Sequence, residues 1–334
     1  MEQVKVAAVV PPSFRCEEEH RNAKQAVEFI KEAAAQGVSL VCFPEGYPGP
    51  TNGPIGDKRG LGAPPLELVR AAAKEHRVYV ACGQMEESGV LPDTYYLCHR
   101  LISPQGQVLA TYRRCQPTPP AANGHLYNGR FHVLPGNELS VTRTEIGNLG
   151  MIICSEINIP ELARVEMLMG AEVLIVPFGG TVGAANIERR DERGRLVVET
   201  SAQISKSLVV ARAVENTMFV VGATNYWGPG AKWGACIASP DGVLAEREGP
   251  GIAYAALDLA RLRFVRGTSW REPDFAAGRI GGRVVLSPGM NRNRRPDLYG
   301  KITEPQPDAF DFFYWKQDPA KWRDTFDPPG ARQP

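Results

Sequence analysis

Along the first two-thirds of the chain, short apolar runs alternate with longer amphipathic stretches. The runs are "VKVAAVV" (4–10), "VSLVCF" (38–43), "VYVACG" (78–83), "GMIIC" (150–154), "AEVLIVPF" (171–178) and "FVVGATN" (219–225). Short, Val- and Ile-rich runs of this kind predict strands buried on both faces of a sheet. Between them the apolar period lengthens. Ala26, Ile30 and Ala33 share one face of a helix predicted over 18–36, with Val27 and Ala34 beside it and Gly37 as a stop. "PPLELVRAAAKEHR" (64–77) opens on prolines, which suit a first helical turn, and further helices are expected over 159–169 and 205–216. Residues 94–114 read as two strands about Pro104-Gln105-Gly106, and Pro240-Asp241-Gly242 marks a hairpin. "AYAALDL" (253–259) closes the set.

About ten strands with helices between them predict a mixed α/β domain. Residues 183–203 are polar and charged, and a loop or excursion is expected there. No linker interrupts the pattern, so one domain is expected over 1–284, followed by a tail over 285–334. The aromatic segment "AFDFFYW" (309–315) suggests a tail that packs on its own domain or on a partner subunit.

Composition narrows the function classes. Among 334 residues, Lys+Arg (38) nearly balance Asp+Glu (37) and no basic run occurs, which argues against nucleic acid as a partner. The apolar runs are too short to span a membrane. "MEQVKVAAVV" reads as an opening strand and not as a signal peptide, so a cytoplasmic location is expected. The seven cysteines are irregularly spaced, with no C-x-x-C or H-x-x-x-H pair. Free thiols are expected, and no metal site.

Three strand ends carry reactive side chains. Glu45 lies in the rigid turn "PEGYPG", Arg114 ends "VLATYRR", and Cys154 stands where "GMIIC" gives way to "SEINIPELAR". Singly, each is unremarkable: a buried cysteine is ordinarily inert, and strand-end charges are ordinarily solvated. Together they matter, because sites in α/β layers gather at the carboxyl ends of strands. A thiol in such a turn can be activated by a nearby base, and backbone N–H groups there can hold an oxyanion.

These stretches, in this order, resemble the motifs of the nitrilase (carbon–nitrogen hydrolase) superfamily. "FPEGYPG" resembles the motif that carries the general base, here Glu45. "YRRCQPT" resembles the second motif, whose catalytic Lys falls on Arg114. "CSEINIPELAR" resembles the third, with Cys154 as nucleophile. "GAEVLIVPF", "ARAVENTMFVVGATN" and "GACIASPDGVLA" follow the family as well, so the resemblance covers residues 4 to about 266. It implies an α-β-β-α sandwich of two mixed sheets, no cofactor, a small-molecule nitrile or amide substrate, and a homodimer or higher homo-oligomer. The substrate contacts it suggests are Tyr47, Gly129, Ser155, Glu156 and Phe178.

Two departures stand out. Arg114 replaces the Lys, and an arginine neither gives up a proton nor matches an ammonium in shape. A second family Glu would fall near Gly129 or Ala121, yet no acidic residue occurs between Arg114 and Asn137. Three outcomes stay open on the sequence: hydrolysis through a Cys154 thioester, transfer of the acyl group to an amine, and a non-catalytic scaffold.

Overall fold

Alternation within single strands sorts the core into three layers. In a computed structural model, which describes residues 2–50, 61–89, 94–116, 132–180, 186–190, 196–228, 234–267 and 294–304, strand β1 (Gln3–Val10) shows this directly. Val4, Val6, Ala8 and Val10 point to one side, and Ala7 and Val9 to the other. β9 (Val173–Phe178) does the same, with Val173 and Ile175 on one side and Leu174 and Val176 on the other. A strand with both faces buried must be apolar at every position, which is why these runs do not alternate in sequence.

The first sheet contains β1, β2 (Leu40–Cys42), β3 (Tyr79–Glu87), β4 (Thr94–Ile102), β5 (Val108–Arg113) and β15 (Gly251–Asp258). They lie in the order β15-β1-β2-β3-β4-β5, and the two-residue strand β6 (His132–Val133) pairs with β4. The second sheet contains β7 (Val141–Thr144), β8 (Gly147–Met151), β9, β12 (Phe219–Thr224), β13 (Ala235–Ser239) and β14 (Gly242–Arg247), in the order β14-β13-β12-β9-β8-β7. Both sheets are mixed. β1, β2 and β3 run parallel, as do β8, β9 and β12, while the remaining pairings within the two main orders are antiparallel. Residues of both sheets share the central core.

Helices cover the outer faces. α1 (His20–Ala35) and α2 (Pro65–His76) close one side through Ala26, Ile30, Ala33, Val69, Ala72 and Ala73. α3 (Pro160–Leu168) and α4 (Ser201–Asn216) close the other through Ala163, Met167, Val209 and Ala213. This is the expected α-β-β-α sandwich. Topology places the carboxyl ends of β1, β2, β5, β8, β9 and β12 along one edge, where Pro12 and Tyr226 also form a bridge between the two sheets.

The expected loop over 183–203 needs correction. Asn186–Arg190 (β10) and Leu196–Thr200 (β11) form an antiparallel pair, and α4 starts already at Ser201. Charge made the segment read as irregular, but "LVVET" carries the β-branched residues that favour a strand. The short strands β6 and β7 were not foreseen either. The aromatic segment 309–315 lies outside the described residues, and no helix among those described is long and apolar enough to cross a membrane.

One core residue is out of character. Glu166, on α3, is fully buried, and neither carboxyl oxygen has a hydrogen-bond partner. It reaches Gly150 of β8 so closely that a Cβ there would lie 2.2 Å from Oε2, so only glycine fits. Burial first, with the neighbouring Glu156 charge adding to it, pushes its pKa up to about 8. A carboxyl whose folded pKa is raised stabilises the fold while protonated, and that contribution is lost as pH climbs toward 8. Urea unfolding at pH 6 and pH 9 is therefore expected to show a larger loss for the wild type than for Glu166→Gln, by more than about 1 kcal/mol.

Candidate active site

Backbone strain marks Cys154, the candidate nucleophile. β8 ends at Met151, Ile152 still donates to the Ile175 carbonyl of β9 (3.2 Å), and Cys154 then adopts φ +56° at the head of the 3-10 turn Cys154–Asn158. A left-handed conformation in a non-glycine residue costs about 1–2 kcal/mol, so surrounding contacts must enforce it. Glu156 supplies them. Its carboxylate accepts from the N–H groups of Ile153 (2.7 Å), Cys115 (2.8 Å) and Gln116 (2.8 Å), and from the Tyr112 hydroxyl (2.9 Å). It is wholly buried. Both oxygens are thus spent on the protein itself, tying the nucleophile turn to the chain just after Arg114. Glu156 was expected to touch substrate; its geometry instead makes it a positioning residue.

Arg114 lies 2% exposed at the carboxyl end of β5. Its NH1 donates to Glu45 Oε1 (3.0 Å), its Nε to the Gln116 carbonyl (3.1 Å), and its NH2 to the Ser155 hydroxyl. One planar guanidinium thereby joins the ends of β2, β5 and β8. Such three-way geometry suits arginine and not lysine.

Glu45 follows β2. Asn225, at the end of β12, donates to the Glu45 carbonyl (2.8 Å), while the Ser13 hydroxyl donates to the Asn225 side-chain oxygen (2.7 Å). Glu45 Oε2 lies so near Gly179 that a Cβ at that position would be 2.6 Å away, which explains the glycine. Cys154 lies near Glu45, Arg114 and Gly179, and all three act on its thiol. Its pKa is pushed up to about 12 by burial first and by the Glu45 charge second, against the Arg114 guanidinium and the Gly179 N–H. The resting thiol is therefore neutral.

The structure brings Glu45, Arg114, Cys154 and Ser155 together. Two other expected substrate contacts turn elsewhere. Tyr47 stacks on Phe43 (5.3 Å between centroids) in the helix-side core, and its hydroxyl donates to the Asn22 carbonyl (2.9 Å). Phe178 packs its ring into the other helix-side core. Gly129 lies outside the described residues. Asn225, Tyr112 and Gly179 were missed; only the "ATN" that closes a strand hinted at the first. Six cysteines among the described residues are free thiols, and these residues contain no cluster able to hold a metal ion.

Comparison with known proteins agrees with this geometry. Residues 5–267 match the family model described as carbon-nitrogen hydrolase, and the chain belongs to that family. It is 28% identical over 306 residues to the human (Homo sapiens) deaminated glutathione amidase, covering 86% of this chain and 82% of that protein. It is 27% identical over 305 residues to the bromoxynil-specific nitrilase of Klebsiella pneumoniae subsp. ozaenae, covering 82% and 81%. Its fold is similar to that of a Glu-to-Gln variant of the Nesterenkonia sp. AN1 amidase, solved with the acetamide moiety of fluoroacetamide covalently on its active-site cysteine. That likeness has a TM-score of 0.62 at 19% identity, over 89% of this chain and 96% of that one. The fold and family are therefore those of nitrilase-superfamily hydrolases.

Glu45 raises the Cys154 thiol pKa, so Glu45→Gln removes that contribution and leaves Arg114 and Gly179 in place. Alkylation by iodoacetamide at pH 8, followed as the modified Cys154 peptide, is expected to quicken in Glu45→Gln. Turnover of an amide is expected to fall by roughly 10²–10⁴ in the same variant, through loss of the base.

Proposed function

We propose that this chain hydrolyses a small non-peptide amide or nitrile through a thioester on Cys154. The observation that carries the reading is the Arg114 clamp, which joins Glu45 to Ser155, the residue next to Cys154, with Glu45 near enough to act on the thiol. Substrate binding displaces remaining water and brings an electrophilic carbon to the sulfur. With an amide, Glu45 takes the thiol proton as the C–S bond forms, and the same carboxyl delivers it to the departing nitrogen; with a nitrile the proton goes to the nitrogen of a thioimidate, which loses ammonia to give the thioester only after a water has added. The thiol needs this base at the moment of attack, because burial keeps it neutral beforehand.

Arg114 takes a different role from a mobile ammonium. Each of its three nitrogens donates to a protein oxygen, so it holds Glu45 in register and fixes positive charge beside the developing anion. The relatives named above are an amidase and a nitrilase, which supports a C–N bond in a small molecule as the target. Ammonia release from a panel of nitriles, carboxamides and N-carbamoyl amino acids tests the reading. At least one compound should give ammonia with the wild type and none with Cys154→Ala. Equal release by both proteins would remove Cys154 from the reaction.

We further propose that copies of the chain associate through α3. Val165, Leu168 and Met169 are exposed there, on the helix that follows the nucleophile turn. Grouped apolar side chains on one helix are disfavoured in water and gain by burial against a second copy. Sedimentation should show a dimer or larger species, and Leu168→Glu with Met169→Lys should shift it toward monomer.

A further inference from the structure

Glu45 has a second side. Behind it, a cavity of about 30 Å³ runs in from the surface. That is room for one or two waters. Its walls are mixed: Glu19, Asn22, Glu45 and Asn225 share them with Phe14, Tyr47 and Trp227, and Arg15 also lines it. The Arg15 guanidinium lies 3.8 Å from the centre of a Trp227 ring, and both side chains are half-buried. Glu19 and Asn22 are buried.

The cavity touches the chemistry at two points. Glu45 and Gly179 line it, and these same two residues act on the Cys154 thiol. Trp227 donates its indole N–H to the Gly179 carbonyl (2.7 Å), so the aromatic wall also holds a residue that acts on the thiol. Glu45 Oε2 is buried and has no hydrogen-bond partner within the protein. An acceptor in that condition, beside a partly polar cavity with room for water, is a natural water site.

Hydrolysis creates the need for it. Once the thioester has formed, a water must be held against a base, and no acidic residue occurs between Arg114 and Asn137 to share that task with Glu45. We infer that this cavity is the port that supplies the hydrolytic water to Glu45. The inference rests on the thioester reading above. In the step it serves, Glu45 takes a proton from the water and the water oxygen bonds to the thioester carbon. The C–S bond then breaks, and the leaving sulfur recovers the proton from Glu45. The products are a carboxylic acid and the free thiol.

Glu19→Met tests the port, because it keeps side-chain length but takes a polar partner from the cavity. A high-resolution crystal structure of the wild type should show a water in the cavity within hydrogen-bond distance of the Glu45 carboxylate, and the variant should lack it. Kinetics with p-nitrophenyl acetate separate the two half-reactions, with Cys154→Ser as the blank. In Glu19→Met the nitrophenolate burst should keep its rate within about twofold, while steady-state release falls at least about tenfold. Acetylated Cys154 should then accumulate in the intact mass. A dry cavity in the wild type would overturn the port, and so would a variant that loses the water yet deacylates normally. Equal slowing of burst and steady state would also overturn it, by showing that Glu19 merely supports the turn. Absence of any wild-type burst is a separate result, which sinks the thioester reading and the catalytic role of the port together. A burst with a dry cavity sinks the port alone.

Discussion

The site depends on one buried ion pair. Glu45 and Arg114 meet at 3.0 Å with side chains 3% and 2% exposed. Removing two charges from water is costly, and the pair is tolerable only if geometry is good and the remaining polar atoms are satisfied. The structure meets it on the arginine side, where all three guanidinium nitrogens donate, while Glu45 Oε2 has no protein partner, and the pair acts as a tie. Glu45 follows β2 and Arg114 follows β5, two strands that are not neighbours in their sheet. Through the Ser155 hydroxyl the same guanidinium also reaches the second sheet. Breaking the pair would leave a buried charge without its partner and would loosen the edge where both sheets present their strand ends.

Glu156 completes the arrangement from below. It binds the backbone on both sides of the site, at Ile153 and at Cys115 and Gln116, so the nucleophile turn and the arginine strand end move as one body. Burial raises the Glu156 pKa, and the hydrogen bonds from Ile153 and Gln116 together with the Arg114 charge oppose that rise. Four donors to one carboxylate are strong compensation for desolvation. The positive φ of Cys154 is affordable for this reason: the anchor, and not the cysteine's own preference, sets the backbone.

Much of this was legible in the chain. The apolar runs at 4–10, 38–43, 171–178 and 219–225 became central strands, because burial on both faces leaves no other composition. Glu45, Arg114 and Cys154 were readable because each closes such a run, and strand ends of parallel layers converge. What stayed hidden shares a physical cause. The tasks of Glu156, Asn225 and Gly179 are set by hydrogen bonds and close approaches between segments 40 to 180 positions apart. Local pattern carries no trace of those. Glu166 was hidden for a related reason, since a lone Glu on an amphipathic helix ordinarily marks its solvent face. The β10–β11 pair was masked by its charges, which outweighed a β-branched run of only a few residues.

Replacing an ammonium by a guanidinium changes what the site can do in each half-reaction. In the proposed attack, Glu45 moves a proton between sulfur and nitrogen while its other oxygen stays bound. A fork held at three points secures Oε1 and leaves Oε2 without a protein hydrogen bond. That division lets one carboxylate serve as base without drifting, even where a second acid is missing between Arg114 and Asn137. The same rigidity has a cost in the second half-reaction. A clamped Arg114 cannot follow the leaving nitrogen or guide the incoming water, so water must come to Glu45 along a path that the protein already provides. The cavity lined by Glu45 and Gly179 is the path proposed for that water, and in that proposal the clamp and the cavity are complementary parts of one solution.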